Sequence, residues 1–395
     1  MTSTSWVSDP SDPNNVIIEK IIRLHSKKPL GTLTKSDLEK VRALRWNGCP
    51  ARPPDPKLSS VKDLEKLTQL EVLLLSGNQL TSVQGLEKLT ELKNLNLGGN
   101  KLTSVKGLEK LTELKKLYLY NNKLTSVKGL EKLTQLEVLY LGGNKLTNVK
   151  GLEKLTQLTF LSLGCNKLTY VKGLEKLTKL TCLQLGYNQL TYVTGLENLT
   201  QLKTLYLNDN QLTSVQGLEN LTQLEYLRLD DNQLRDVKGL EKLTQLTYLD
   251  LRNNPNLTKA QIDQLQKALP RPLIFHDYST NAERIEQAIR LQLMTIHGVK
   301  KLTGTLTKSD LEKVTWLDLR SNQLTDVAGL EKLTQLTFLS LGHNKLTDVK
   351  GLEKLTKLTR LDLGVNQLTS VKGLEKLTQL TFLSLGNNPD LTKAQ

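Results

Sequence analysis

At 395 residues the chain is long enough for two or three ordinary domains, so burying a core is not the difficulty. Aromatics make up only 4% and leucine dominates the apolar set, which suits many copies of one small unit better than a varied globular interior. A net charge of +14 can favour acidic partners, nucleic acid or anionic surfaces without choosing among them, and no run of about 18 apolar residues reads as a membrane helix.

Residues 1–15 (MTSTSWVSDPSDPNN) have neither a basic start nor an apolar centre, so they read as a disordered tail and not a secretory signal; the default location is cytoplasmic. Residues 16–57 read as an N-terminal helical cap and a first coil. The amphipathic stretch Ile18-Glu-Lys-Ile-Ile-Arg-Leu24 is placed to cover the exposed apolar end of that coil, and CPARPPDP, between Trp46 and Leu58, inserts a stiff loop with four prolines.

Residues 58–254 form the first repeat array. The pattern LxxLxLxxNxLTxVxGLEKLT recurs without slippage at a period of 22, with its Asn at 78, 100, 122, 144, 166, 188, 210, 232 and 254. In the copy Leu92 to Leu111, Leu95 and Leu97 alternate at period two and point inward from one short strand, so Asn94 and Asn96 point outward. Asn100 turns inward at the bend, where its amide can satisfy backbone groups otherwise buried unpaired. Leu102, Val105, Leu108 and Leu111 follow at threes, the spacing of a 3₁₀ or short helical return. No coil could bury such a stripe alone, so neighbours must share it.

Residues 255–278 read as a C-terminal cap: Pro255 breaks the coil, Thr258 can N-cap a helix through about Leu269, and Leu273 to Phe275 can add one more strand. Residues 279–313 read as a helical linker and second cap, with Ile285-Glu-Gln-Ala-Ile-Arg-Leu291 related to the first helix. Gly304 to Val314 repeats Gly31 to Val41 (GTLTKSDLEKV) without a change, so the module is duplicated. The pattern resumes over 314–395 with Asn at 322, 344, 366 and 388, and stops inside the equivalent cap, as a truncated second array would.

These residues resemble leucine-rich repeats, and within them the short class shared by internalin-type proteins and a phosphatase-regulatory subunit. The resemblance implies an α/β solenoid: a parallel sheet on the concave side of an arc, a thin convex side, two tandem arrays with helical caps, and a role in protein recognition.

Function is sought where the repeat is free to vary. The two outward positions flanking the first Leu of LxL vary most, and tyrosines collect on the surface they form: Tyr118, Tyr120, Tyr140, Tyr187, Tyr206, Tyr226 and Tyr248, joined by Phe160. In the second array the same positions hold Trp316, Phe338 and Arg360. Such aromatics can anchor a protein or peptide ligand, or they can merely shield a one-sided sheet by stacking. Toward the end of the first array the surface turns polar, with Asp209, Glu225, Asp230, Asp231 and Asp250 around Arg228 and Arg252, and could receive a basic segment. A Ca²⁺ site from Asp209, Asp230 and Asp231 has the right oxygens but no dedicated loop, so no metal is expected.

Lysines recur on the flank and back. Lys101, Lys106 and Lys110 return one coil later as Lys123, Lys128 and Lys132, then twice more, leaving about two excess positive charges per coil. This ladder can bind nucleic acid or another polyanion, or can simply keep a long solenoid soluble. Solubility is the preferred reading, because no aromatics for base stacking are expected on that face. Cys49, Cys165 and Cys182 are too few and scattered for a disulfide framework. His25, His276, His297 and His343 are far apart in the pattern, no Cys/His cluster has metal spacing and no glycine loop cradles phosphate. The chain therefore reads as non-enzymatic, with no cofactor, and as a scaffold for a protein or peptide.

Overall fold

The computed structural model describes residues 9–47, 56–269, 273–297 and 305–391. Cys49 and most of the proline loop, Gly304 and the last residues of the second array lie outside them. The chain divides into two compact units, Met1–Tyr248 with Asn253–Leu269, and Leu249–Arg252 with Pro270–Gln395.

In the first unit every coil contributes one three-residue strand. These are β1 (Ala43–Arg45), β2 (Val72–Leu74), β3 (Asn94–Asn96), β4 (Lys116–Tyr118), β5 (Val138–Tyr140), β6 (Phe160–Ser162), β7 (Cys182–Gln184), β8 (Thr204–Tyr206) and β9 (Tyr226–Arg228). Each pairs in parallel with the next, leucine beside leucine: Leu73 beside Leu95, Leu95 beside Leu117, and so on to Leu205 beside Leu227. The register follows from the repeat, because a slip of one residue would turn every leucine out of the core. The ladder continues past each strand, as where Leu75 N–H donates to the Asn96 carbonyl at 2.8 Å.

The bend is then closed by the asparagine column. Asn100 is buried, and its Nδ2 donates to the carbonyls of Leu75 (3.0 Å) and Leu97 (2.9 Å) while its Oδ1 accepts from Leu80 N–H (3.0 Å). One side chain thus joins two coils, and the pattern recurs at Asn122, Asn144 and onward. Asn322 departs from it: it is half-buried and its Nδ2 donates to its own coil, at the Arg320 carbonyl. It opens the second array, where no preceding repeat supplies the partner carbonyl.

The return differs in detail from a continuous helical turn. Leu86 N–H donates to Val83, Leu89 to Leu86 and Leu92 to Leu89, three separate i→i+3 turns at 2.9–3.1 Å. A run long enough to be a 3₁₀ helix forms at Lys62–Lys66, Leu240–Lys242, Leu330–Lys332, Leu352–Lys354 and Leu374–Lys376. Every return after the first, which has Asp63 at this place, starts at a glycine such as Gly151, whose φ of +106° disfavours any residue with a Cβ. Glu153 folds back on that glycine, its Oε2 accepting from Gly151 N–H at 2.6 Å.

Helices flank the coils. Helix α1 (Pro13–Ser26) begins inside the stretch expected to be a tail, because Asp12 caps it by accepting from Asn14 N–H at 2.8 Å. It packs on β1 and buries Ile17, Ile18, Ile21 and Ile22. Helix α2 (Lys35–Glu39) carries a Thr34/Asp37 capping box. Helix α3 (Lys259–Ala268) carries a Thr258/Gln261 box and buries Ile262 and Leu265.

In the second unit Leu251 N–H donates to the Phe275 carbonyl at 2.8 Å, so the chain just after β10 (Tyr248–Asp250) runs beside β11 (Leu273–Phe275). Helix α4 (Asn281–His297) sends Ile285, Ile289 and Leu293 into one core with Val314 and Leu317, and α5 (Lys308–Leu311) repeats the capping box as Thr307/Asp310. Strands β12 (Trp316–Asp318), β13 (Phe338–Ser340), β14 (Arg360–Asp362) and β15 (Phe382–Ser384) form a four-stranded parallel sheet.

Candidate functional site: the strand face

The strands hold alternate side chains outward, and in the first unit the aromatic ones meet in two groups. Tyr118 stacks on Tyr140 with ring centroids 5.0 Å apart, and Tyr140 on Phe160 at 4.6 Å. Tyr206 lies 5.4 Å from Tyr226, which stacks on Tyr248 at 4.2 Å with an interplanar angle of 6°. Between the groups the same two columns hold Ser162, Cys182, Gln184 and Thr204, which are small or polar. Two aromatic banks therefore border a lower strip centred on β7. Burial pushes the Cys182 thiol up from its ordinary pKa, and does the same to the Tyr140 and Tyr206 phenols. Cys165 and Cys182 are free thiols.

Two expected members stand elsewhere. Tyr187 is on the bend after β7 with φ +57°, is 56% exposed, and has its phenol pKa raised chiefly by the charge of Asp209 one coil on. Tyr120 is on the bend after β4, its ring lying over Gly98, where an added Cβ would come within 2.3 Å of its Cζ. Both border the face and do not belong to the stacked groups.

The polar end is not an open anionic patch. Asp230 is buried and receives Arg228 through both oxygens, from Nε at 2.9 Å and from the terminal nitrogen at 2.5 Å. Arg252 holds buried Asp250 in the same way, at 2.9 and 2.6 Å. These carboxylates are neutralised within the chain, which removes them as docking points for a basic segment. The sequence carried a usable signal, since Arg and Asp two residues apart along an extended segment share a face. Asp209, Asp230 and Asp231 offer oxygens within 4.8 Å of one another, but the Arg228 guanidinium already occupies Asp230. Asp231 also accepts from Asn253 Nδ2 at 2.9 Å.

The second unit has a shorter version. Trp316 stacks on Phe338 at 5.3 Å, and the Arg360 guanidinium lies 4.7 Å over the Phe382 ring. Burial opposes ionisation of Asp318, yet hydrogen bonds from Arg320 hold its pKa below the usual carboxylate value.

The lysine-bearing side also departs from expectation. Tyr170 (40% exposed) and Tyr192 (52% exposed) stand there, at the place in the repeat that Ser104 and Ser126 occupy, so that face does carry aromatics.

The sequence pattern that defines leucine-rich repeats, described as Leucine Rich repeats (2 copies), matches in nine stretches, overlapping over 112–267 and also covering 68–110, 312–354 and 356–393. The chain belongs to the leucine-rich-repeat family. Among solved structures, this leucine-rich-repeat protein resembles an internalin (InlF) of Listeria monocytogenes at 25% identity, covering 98% of this chain and 97% of that one, with a TM-score of 0.58. A leucine-rich-repeat protein of Leptospira interrogans shares 27% identity over 91% of this chain and 93% of its own, TM-score 0.53. Internalin C2 of L. monocytogenes shares 30% over 55% of this chain and 92% of its own, TM-score 0.51. Among curated proteins none matches significantly. Membership carries the family's general character, that of a scaffold for protein–protein interaction and typically not of an enzyme. Among the described residues no helix is long and apolar enough to cross a membrane.

Proposed function

We propose that this leucine-rich-repeat protein is a non-enzymatic scaffold that binds a protein or peptide on the strand face of its first array. The carrying observation is the pair of aromatic banks, Tyr118–Tyr140–Phe160 and Tyr206–Tyr226–Tyr248, on either side of the low strip at β7. Stacking for shelter alone would favour a continuous row, whereas β2 and β3 present Val72, Leu74, Asn94 and Asn96, and the rings stop again at Cys182 and Gln184. Tyrosine gives a large, stiff contact area with a polar tip, so six rings held against one another offer affinity at small entropic cost. A peptide laid over β7 would place an apolar side chain in the strip and lean on both banks. Free thiols at Cys165 and Cys182 support a reducing, cytoplasmic setting as part of this reading.

The test is selection of ligands for the intact chain from a random peptide display library. Selected peptides are expected to lose about 2 kcal/mol of affinity when Tyr206→Ala and Tyr226→Ala are combined, with the fold unchanged by circular dichroism. Peptides that bind the double variant as well as the parent would place recognition off this face.

A further inference from the structure

Lys101, Lys106 and Lys110 recur at the same three places in each of the next three coils, the last set being Lys167, Lys172 and Lys176. All twelve are exposed and none makes an ion pair, whereas Lys88, Lys93 and Lys115 nearby reach Glu65, Glu71 and Glu137. The glutamates of the same four coils are already engaged: Glu109, Glu131, Glu153 and Glu175 each accept from their own glycine N–H at 2.5–2.6 Å. A bond from a neutral N–H leaves each glutamate its charge, and Glu153 still attracts Lys150 and Lys154, so about two positive charges per coil remain in excess. Part of this excess lines one groove, where four lysines, Lys106, Lys128, Lys132 and Lys154, outnumber the two glutamates Glu109 and Glu131.

The fold does not require these lysines. The next two coils carry Gln189, Thr194 and Asn198, then Gln211, Gln216 and Asn220, at the same places, and keep the same buried leucines and asparagine bonds. Where the full lysine sets end, Tyr170 and then Tyr192 replace the serine or asparagine of earlier coils, both exposed and neither with a ring partner. In the second array the corresponding places hold Asp326, Asp348 and Ser370.

We propose that this side of the first array binds single-stranded nucleic acid, its phosphates tracking the lysine rows and its bases stacking on Tyr170 and Tyr192. Strand spacing of about 4.8 Å sets the four coils over roughly 15 Å, room for a few nucleotides. Rows of unpaired cations release the strand's counterions, and exposed rings at one end take base faces that a duplex keeps stacked inside. A lipid surface would call for apolar side chains among the lysines, where this groove has serine and threonine. None of the strand-face residues takes part.

The test uses the intact chain and a fluorescent oligothymidylate of about twenty nucleotides, compared with a duplex of equal length and with phosphatidylserine vesicles. One variant combines Lys128→Gln, Lys150→Gln, Lys132→Asn and Lys154→Asn; the other combines Tyr170→Ser and Tyr192→Ser. Each new residue already occupies that place in another coil, so thermal unfolding should be unchanged. The lysine variant is expected to bind about tenfold more weakly, with a salt slope shallower by about 0.7 for each phosphate it no longer neutralises. The tyrosine variant is expected to lose about tenfold for oligothymidylate and nothing for vesicles. Absence of oligothymidylate binding by the unaltered chain at low salt would overturn the proposal. So would tighter binding to duplex or vesicles, or an oligothymidylate affinity indifferent to the tyrosines.

Discussion

Two rows of side chains run along the coils at the same interval, and they differ in how freely they vary. At the bend the residue is asparagine in every copy, buried in all but Asn322, with both ends of its amide typically bonded to backbone of two coils. On the strand face the corresponding places hold lysine, valine, phenylalanine, cysteine, threonine or tyrosine in successive coils. A periodic polar residue therefore marks a demand of the fold when its partners are backbone atoms the bend would otherwise strand. Chemistry that changes from coil to coil on a constant frame marks a surface free to serve recognition.

The sharpest way to break this contrast is at Asn144. Its Nδ2 donates to Leu119 and Leu141 at 3.0 and 2.9 Å, and its Oδ1 accepts from Leu124 N–H at 3.0 Å. Asn144→Leu should cost about 3 kcal/mol, since several buried backbone groups lose their partner. Lys145→Gln beside it should change stability by no more than about 0.5 kcal/mol. Urea unfolding measures both. Because coils touch only their neighbours, the damage should show as a split transition. Unchanged stability with loss of ligand binding would reverse the assignment of the two rows. Next in size is the Tyr206→Ala and Tyr226→Ala pair, expected to cost about 2 kcal/mol in affinity and little in stability. A large fall in stability would make the tyrosines structural.

Much of this was legible in the sequence because the unit repeats. Inward Leu95 and Leu97, buried Asn100, the Thr258 cap and the strand at Leu273 all follow from period, propensity and capping rules. What escaped depends on angles and on partners across coils. Tyr120 and Tyr187 lie near the strand in sequence, yet the bend carries them to the border of the face. Asp230 and Asp250 read as available anions, yet their arginines close on them through both oxygens. Tyr170 and Tyr192 sit where the repeat usually has serine or asparagine, a column that attention to the LxL pair passes by.

The bend also sharpens the contrast in a third way. The residue before each column asparagine is left-handed, and the chain answers with Gly77, Gly99 and Gly143, or with Asn121, Asp209 and Asp231, but also with Val365 at φ +56°. A β-branched residue there costs about 1–2 kcal/mol. Val365→Asn, the residue used at Asn121 and Asn387, should therefore raise stability by about 1 kcal/mol, since Val365 is 38% exposed and little burial is lost. A fall in the urea midpoint would show that Val365 is held there by packing that outweighs its backbone.

The smallest expected effect concerns the glutamates that fold back on the return. Glu153 and Glu219 each have a pKa held below the ordinary 4.5, first by their own backbone N–H and also by the glycine N–H of Gly151 and Gly217. A carboxyl whose folded pKa is depressed adds stability that is complete above its unfolded value and is lost as pH falls through the folded one. The unfolding midpoint should therefore be flat above about pH 5 and decline below about pH 4.5. Glu153→Gln combined with Glu219→Gln should lower stability slightly at pH 7, where the charge-assisted bonds are weakened, and should shrink the difference between pH 7 and pH 3.5. The amide oxygen can still accept from glycine, so the fold survives. If the acid decline is just as steep in the double variant, the protons that destabilise the solenoid are taken up elsewhere, and carboxylates such as Asp37, held well below their usual range by Lys28 and Thr34, become the groups to replace next.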